Sequence, residues 1–349
     1  MQRRVGMVQA LAAMAMVGGA VTASGFLTNY PLFTAQAVRY TSAALVLGAC
    51  ARFAGWGDVR SPIGREWWWL TASATAGLSV YNLAVLKAIE HAEPALVGSF
   101  VAGVPLVLAL AAPIAARRRV PVGVVGAAAV VVLGALIIQG VGRGDATAVG
   151  FSLVGLAGEA GFTLLAAPVL GRLGAFSVAT HTSWIAAVQF LVLAVVVDRG
   201  DGIVGPSLEV VVAVAYLVAA SAGAFVLWFL AVGSIGGEVA GLAAGIIPVA
   251  AAVSGLAFGL TTVDARVAVG TLVVAAGVGC GLEATRRAVP RRRSRERNDP
   301  ASVAVEDHHW RGHPSTMMCR CPHGSSRSGT STVAPAATNR SATSSTDSS

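Results

Sequence analysis

The stretch GLAGEAGFTLLAAP, residues 155–168, places one carboxylate, Glu159, in a run that is otherwise apolar or small. No other acidic residue occurs between Asp145 and Asp198. An apolar run of this length is typical of a helix that crosses a bilayer, and an acidic side chain at the bilayer centre costs about 2.5–3.5 kcal/mol. We therefore expect Glu159 to face the interior of a helix bundle rather than lipid.

The composition of the whole chain favours a membrane location. Of its 349 residues, 55% are hydrophobic and 12% are charged, whereas a soluble domain carries about 25% charged residues. The charges lie in short clusters between apolar runs of roughly 20 residues, the length that spans a bilayer. The basic residues that give the net charge of +8 lie at the ends of these runs and in the C-terminal part. This distribution indicates membrane topology, and we expect no binding to nucleic acid.

We predict an all-α polytopic membrane protein with ten transmembrane helices. Arg3 and Arg4 before the first apolar run also fit a signal peptide, but its removal would leave nine spans, which do not divide into equal halves. The predicted spans are residues 7–27, 32–53, 67–89, 94–116, 121–140, 148–170, 176–198, 207–232, 237–260 and 263–284.

The placement of arginine predicts the orientation, because cytoplasmic loops of membrane proteins are enriched in Lys and Arg. We expect a multi-pass protein of the cytoplasmic (plasma) membrane with both termini in the cytoplasm. The opposite side would hold only Lys87, Arg143, Arg199 and Arg266. The predicted cytoplasmic side holds Arg3, Arg4, Arg52, Arg60, Arg65, Arg117, Arg118, Arg119, Arg172, Arg286, Arg287, Arg291, Arg292 and Arg293.

An internal repeat appears when the chain is shifted by 143 positions. PLFTAQAVRYTSAA (31–44) then lies over GAFSVATHTSWIAA (174–187), Ala88 over Ala231 and Pro105 over Pro248. Five spans in each half is an odd number, so the two halves would enter the membrane in opposite directions. Inverted repeats are a transporter architecture, with the substrate site at the repeat interface near mid-membrane. We predict a first repeat over 1–144, a second over 145–285 and a disordered tail over 286–349.

Two segments carry a resemblance to a known family. YNLAVLKAIEHAEPALVGSFVAGVPLVLAL (81–110) and WFLAVGSIGGEVAGLAAGIIPVAAAVSGL (228–256) each place a proline 17 positions after an alanine. This pattern, with Arg39 in AVRYTSAAL, resembles the EamA domain of the drug/metabolite transporter superfamily. The resemblance implies two EamA repeats around a central cavity and export or exchange of small metabolites. The Gly-Glu pair that the family often has after its fourth and ninth helices is missing from IAARRRV (114–120) and GLTTVDARV (259–267).

Three ionisable residues within the predicted spans are candidates for substrate binding or coupling. We hypothesise that Glu159 and His181 take and release protons during transport, since histidine changes its charge between roughly pH 5 and 8. Arg39 would hold a substrate carboxylate or pair with Glu159. The alternatives are a Glu159–Arg39 pair that only fixes packing, and a histidine hydrogen-bonded to a helix carbonyl.

Further side chains complete the predicted site. Tyr81, Asn82 and Trp228 would supply aromatic walls and a polar group for a small amphipathic ligand, although Tyr and Trp near helix ends are also typical interfacial anchors. Pro105 and Pro248 would act as helix hinges at the cavity, because proline removes a backbone hydrogen bond from a helix. The alternative is that proline is simply frequent in membrane helices.

We predict neither an enzyme nor a cofactor. No Gly-rich phosphate loop occurs, and the short cluster Glu90, His91 and Glu93 is better explained as a solvated turn than as a transferase site. The basic start of the tail fits anionic lipid headgroups, so a membrane scaffold acting through the tail is an alternative function. A homodimer and the substrate stay open. The tail's histidines and cysteines match no standard zinc spacing, and we expect no metal site from His308, His309, His313, His323, Cys319 and Cys321.

Overall fold

In the computed structural model of the chain, the described residues are 2–27, 30–55, 58–199, 207–259 and 264–288, and the secondary structure of these ranges is helical. Nine helices within them are long and apolar enough to cross a membrane. This is the fold of an integral multi-pass membrane protein. The predicted tail lies outside the described residues beyond 288, as do its lipid and metal-site expectations.

Several of the helices are joined through irregular turns into longer runs. Wide (π) turns lie at Cys50–Ala54, Thr75–Val80 and Ala194–Asp198, and a 3-10 turn lies at Gly241–Gly245. The helices are α1 (Gln2–Ser24), α2 (Leu32–Ala49), α3 (Glu66–Ala74), α4 (Tyr81–Ile89), α5 (Pro94–Val101), α6 (Val104–Ala115), α7 (Val122–Gln139), α8 (Ala146–Leu173), α9 (Ala175–Leu193), α10 (Leu208–Ile235), α11 (Gly237–Ala240), α12 (Ile246–Ala257) and α13 (Ala265–Ala288).

The predicted second span, 32–53, is not among the nine apolar helices of the described ranges. It is nevertheless helical from Leu32 through the wide turn that follows α2. Gln36 and Arg39 in its middle lower its mean hydropathy, and this helix is therefore less apolar than the other nine.

Matching elements start at positions separated by the 143-residue shift that the sequence shows. A wide turn also ends both α2 and α9, and an interruption precedes both α6 and α12. The local structure therefore recurs along the chain with the same period as the residue pattern. The matched starts are Leu32 and Ala175 for α2 and α9, Pro94 and Gly237 for α5 and α11, and Val122 and Ala265 for α7 and α13.

The matching helices α2 and α9 pack against each other and run antiparallel. Near the start of α2, the backbone N–H and the hydroxyl of Thr34 donate to Asp198 Oδ2 beyond the end of α9, at 2.7 and 2.8 Å. At the opposite ends, Ser177 of α9 accepts from the backbone N–H of Arg60, which follows α2, at 2.9 Å. These crossed contacts fix the opposite directions of the two helices.

Glycines allow α7 and α13 to approach closely. A Cβ on Gly270 would lie 2.7 Å from the carbonyl oxygen of Gly134, and a Cβ on Gly134 would lie 2.8 Å from that of Gly270. Small residues at such contacts let membrane helices pack backbone to backbone. The contact therefore has no room for a side chain on either helix.

This close approach leads to a stability prediction. We expect Gly270→Ala to lower the free energy of unfolding by about 1–3 kcal/mol, because an added methyl group meets a backbone carbonyl that cannot rotate away. The measurement is the melting temperature of the detergent-solubilised protein. Gly279→Ala is the matched control on the same helix, since no atom of the described residues outside its own helical turn lies within 4 Å of the added carbon. Equal melting temperatures for the two variants would contradict the close contact.

Candidate functional site

Arg39 extends from α2 into the interior of the helix bundle, where it is half-buried. Its Nε donates to Ser221 Oγ of α10 at 2.6 Å, and Nη1 donates to Gln36 Oε1 at 3.4 Å. The guanidinium carbon lies 5.2 Å from the centre of the Tyr40 ring, a cation–π distance. No carboxylate of the described residues forms an ion pair with Arg39. A guanidinium has five N–H donors, so several stay available to a ligand.

A chain of amide hydrogen bonds connects Arg39 with the wide turn between α3 and α4. Gln36 Nε2 donates to Asn82 Oδ1 at 2.7 Å, and Asn82 Nδ2 donates to the carbonyl of Leu78 at 2.6 Å. Because a wide turn disturbs the regular backbone ladder, its carbonyls need such partners in a membrane. The position of Arg39 is thereby linked to the geometry of an irregular turn, a feature frequent at functional sites.

Gln189 of α9 holds the same wide turn from the other side. Its Oε1 accepts from Ser79 Oγ at 2.6 Å, and its Nε2 donates to Thr75 Oγ1 at 2.7 Å. The turn is therefore supported by polar side chains from both matching helices, α2 and α9.

An aromatic wall lines the region beside Arg39. Tyr40 stacks on Phe190 with ring centres 5.4 Å apart and on Phe225 with centres 6.2 Å apart. Phe162 in turn packs at 5.2 Å on both Phe225 and Phe229. Tyr40, Phe190 and Phe229 are each at most 3% exposed, so this wall is a packed cluster that supports the region around Arg39.

Glu159 of α8 lies in the same region. Glu159 and Arg39 both act electrostatically on Tyr40 and Tyr81, so the two tyrosines lie within range of both charges. The Glu159 carboxylate is half-buried and has no hydrogen bond or ion pair with any residue of the described ranges. The direct Glu159–Arg39 pair, one of the expectations from the sequence, is thus not formed. The structure brings Arg39, Tyr81, Asn82 and Glu159 together without joining the two charged groups.

His181 lies elsewhere, against the connection that follows α2. Its Nδ1 accepts from Trp184 Nε1 at 2.9 Å, so its Nε2 carries the proton and donates to the carbonyl of Arg60 at 3.0 Å. Trp67 packs edge-on at 5.7 Å. Both ring nitrogens are occupied, as in the alternative of a histidine bonded to a carbonyl, although the acceptor belongs to a connection and not to a helix. No interaction joins His181 to Glu159 in the described part of the chain.

Trp228 is buried between α10 and α8, with 4% of its surface exposed. Its Nε1 donates to Thr163 Oγ1 at 2.9 Å. The ring therefore fills the packing between two helices.

We accordingly predict that Trp228→Phe affects stability more than ligand binding. The free energy of unfolding should fall by about 1 kcal/mol, because the phenyl ring keeps the apolar contact and loses the hydrogen bond to Thr163. Thermal unfolding in detergent measures this loss, and ligand-induced stabilisation measures binding. A variant of unchanged stability with weaker ligand binding would place Trp228 in the pocket instead.

Pro105 and Pro248 lie where their helical runs are interrupted. Pro105 is the second residue of α6, just after the break at Ala102–Gly103, and Pro248 is the third residue of α12, just after a 3-10 turn. Both prolines are buried. Proline is tolerated in the first turn of a helix, where its missing N–H needs no partner. Each proline therefore lies just after a break between two helical segments, whereas the sequence predicts a bend within one continuous helix.

The cluster Glu90, His91 and Glu93 does not converge on a common point. Glu90 pairs with Lys87 at 2.9 Å, and His91 approaches Asp145 at 3.3 Å. Glu93 accepts from the backbone N–H of a neighbouring connection. Backbone bonding to Ala148 holds the pKa of the Asp145 carboxyl below its usual range. Glu90 bonds within the end of α4, and His91 and Glu93 join the connection before α5 to the connection before α8.

Several members of the site escape sequence reasoning. Gln36 lies three residues before Arg39, on the same face of a helix, and that spacing could have identified it. Gln189 is the single amide of an otherwise apolar stretch of α9, which is a similar signal. Tyr40 and Phe225 give no signal, because aromatic residues are common throughout membrane helices.

Comparison with known proteins supports the fold alone. No protein-family model matches the sequence, and no curated protein matches it. The backbone is similar to a solved structure that is described only as the crystal structure of a protein, with a TM-score of 0.69. The superposition covers 81% of this chain and 98% of the other at 19% sequence identity.

Proposed function

We propose that the protein is a secondary transporter that exports or exchanges a small metabolite by alternating access. The observation that carries this proposal is the pair of unmatched charges, Arg39 and Glu159, beside one aromatic wall inside the bundle. Charged groups within membrane spans are costly and mark ligand or ion pathways. Because this arginine and this glutamate lie in the same region without pairing, both stay available to bind a substrate or a proton during transport.

The architecture that we propose has ten spans in two inverted repeats of EamA type, over 1–144 and 145–285. The helix that begins at Leu32 supplies the tenth span, because a helix that carries an interior arginine need not be strongly apolar. The recurrence of helix starts with the 143-residue shift supports the repeat. The antiparallel packing of α2 on α9 supports its inversion, since matching helices of inverted halves run in opposite directions.

The ligand chemistry follows from the groups around Arg39. The free N–H donors of the guanidinium suit a carboxylate, which they can bind in a bidentate manner. Tyr81, which is half-buried, would pack on the apolar part of the ligand, and Asn82 would hold the wide turn next to it. We therefore propose a small, partly apolar metabolite that carries a carboxylate.

Proton coupling is assigned to Glu159 alone. Its carboxylate has no cation partner in the part of the chain that the structure describes, so its charge can change without breaking an ion pair there. His181 is left out of the coupling step because both of its ring nitrogens hold structural hydrogen bonds.

The experiment compares metabolite pools in a strain that lacks the gene with those in the same strain after the gene is restored. We expect one or a few carboxylate-bearing metabolites to accumulate without the gene and to leave the cell when it returns. The restored gene carrying Arg39→Gln should fail to lower the same pool. Pools that never differ, or full rescue by Arg39→Gln, would contradict the proposal.

A further inference from the structure

An ion pair between a buried glutamate and an exposed arginine, outside the region of Arg39 and Glu159, joins the two proposed repeats. Arg118 lies in the connection between α6 and α7, and Glu238 is the second residue of α11. Arg118 Nη1 lies 2.8 Å from Glu238 Oε1. The Glu238 residue is only 5% exposed, whereas the Arg118 side chain is 54% exposed. Glu238 Oε2 is buried and has no hydrogen-bond partner within the described ranges.

The Glu238 carboxylate lies against the turn that precedes α11. Gly236 has a φ of +83°, a left-handed conformation that side chains disfavour. A Cβ at this position would also lie 2.8 Å from Glu238 Oε2. Glycine is thus required twice, once for the backbone angle and once for the space that the carboxylate fills.

The two matching ends of the bundle differ in how tightly they are packed. Every residue from Gly237 to Gly245 is buried. In the matching segment of the first half, Pro94 is exposed and residues 98–103 are half-buried. The segment that begins at α11 is therefore more deeply buried than the matching segment that begins at α5, in which Leu96 and Val97 are buried. Arg118 and Glu238 lie at the more deeply buried end.

An ion pair with one exposed partner suits a contact that forms and breaks repeatedly. Arg118 stays largely hydrated, so water screens its attraction to Glu238 and the pair stabilises the closed state only modestly. Removing only one partner is different, because the other charge stays buried without compensation. Such a pair fixes the geometry of a closed state without making that state irreversible.

We propose that Arg118 and Glu238 form a latch between the two halves, which holds this end of the bundle closed and separates when the cavity opens there. The proposal rests on the transport function proposed above, since only alternating access gives the latch a reason to open. Neither residue would touch the ligand.

The test measures the accessibility of a single cysteine behind the latch. Ala244, buried at 9% exposure, lies one 3-10 turn beyond Gly241, whose face packs on Leu108 of α6. In a background in which every native cysteine is serine, Ala244→Cys is labelled with a membrane-impermeant maleimide. The reagent is added to membranes on the side that bears the α6–α7 connection. No ligand is needed for this measurement.

We expect Glu238→Gln and Arg118→Gln each to raise the labelling rate about tenfold, because the closed end loses its cross-link. The two changes combined should give no further increase, since both break one contact. The exchanged pair, Arg118→Glu with Glu238→Arg, should return the rate toward that of the parent. Arg119→Gln is the matched control, from an arginine of the same connection that has no ion pair with a described residue.

The latch is wrong if Arg118→Gln leaves the labelling rate at the level of Arg119→Gln while both variants elute as folded protein in size-exclusion chromatography. Arg118 is the decisive position because its side chain is largely exposed, so its loss leaves the fold intact even where Glu238→Gln does not. A labelling change without detectable flux of any metabolite would support the latch and count against the transport proposal. Metabolite flux with an unchanged labelling rate would support the transport proposal and count against the latch.

Discussion

Substitution of Arg39 by glutamine is expected to lower ligand exchange about 100-fold or more. Removing one partner of a buried, charge-assisted hydrogen-bonded pair costs about 2–5 kcal/mol, and each 1.4 kcal/mol corresponds to a factor of ten. The amide keeps a donor near Ser221 and Gln36 but offers no charge to a carboxylate. The measurement is exchange of the metabolite identified from the pools, in liposomes that contain the purified protein and have no ion gradient.

Two further variants separate charge from geometry. Arg39→Lys keeps the charge but has one nitrogen, which cannot bond Ser221 and a ligand carboxylate in the bidentate manner of a guanidinium, so we expect an intermediate loss. Arg52→Gln is the matched control, because Arg52 follows on the same helical run with an exposed side chain that packs on Phe53. Wild-type exchange by folded Arg39→Gln would remove Arg39 from the site.

Most of the helical organisation could be predicted from the sequence. Apolar runs of bilayer length have few structural solutions in lipid, where every backbone group must be bonded within a helix. The predicted limits accordingly differ from the observed helices by only a few residues, as at the first span, which begins at Gln2 instead of residue 7. The interior polar residues Arg39 and Glu159 were also identifiable, since lipid would not accept them.

The pairing of side chains across helices could not be predicted. Helix length does not fix the rotation of one helix against another, so nothing in the sequence indicates that His181 bonds the carbonyl of Arg60 instead of approaching Glu159. The wide turn at Thr75–Val80 depends on Gln189 from a distant helix, and local propensity does not reveal it. Glu238 was overlooked for a similar reason, because its partner Arg118 is far away in the chain.

Substitution of Glu159 by glutamine is expected to remove most of the effect of a pH gradient on transport while exchange without a gradient continues. Glutamine has nearly the shape of a protonated carboxyl group and cannot release a proton, so the binding region keeps its form and loses its coupling. We expect accumulation driven by an imposed pH gradient to fall at least about tenfold, a typical size for the loss of one coupling free energy. Liposomes with the gradient imposed in either direction provide the measurement.

The control for this substitution is Glu90→Gln, which removes an exposed carboxylate paired with Lys87 and should leave gradient-driven accumulation intact. The stability of Glu159→Gln gives an independent readout. Because Glu159 has no cation at hydrogen-bonding distance among the described residues, a neutral amide removes an uncompensated charge and breaks no contact, so the melting temperature should not fall. A lower melting temperature would mean that Glu159 is held by a partner and has a packing role. Undiminished gradient dependence in a stable variant would assign the coupling proton to another group.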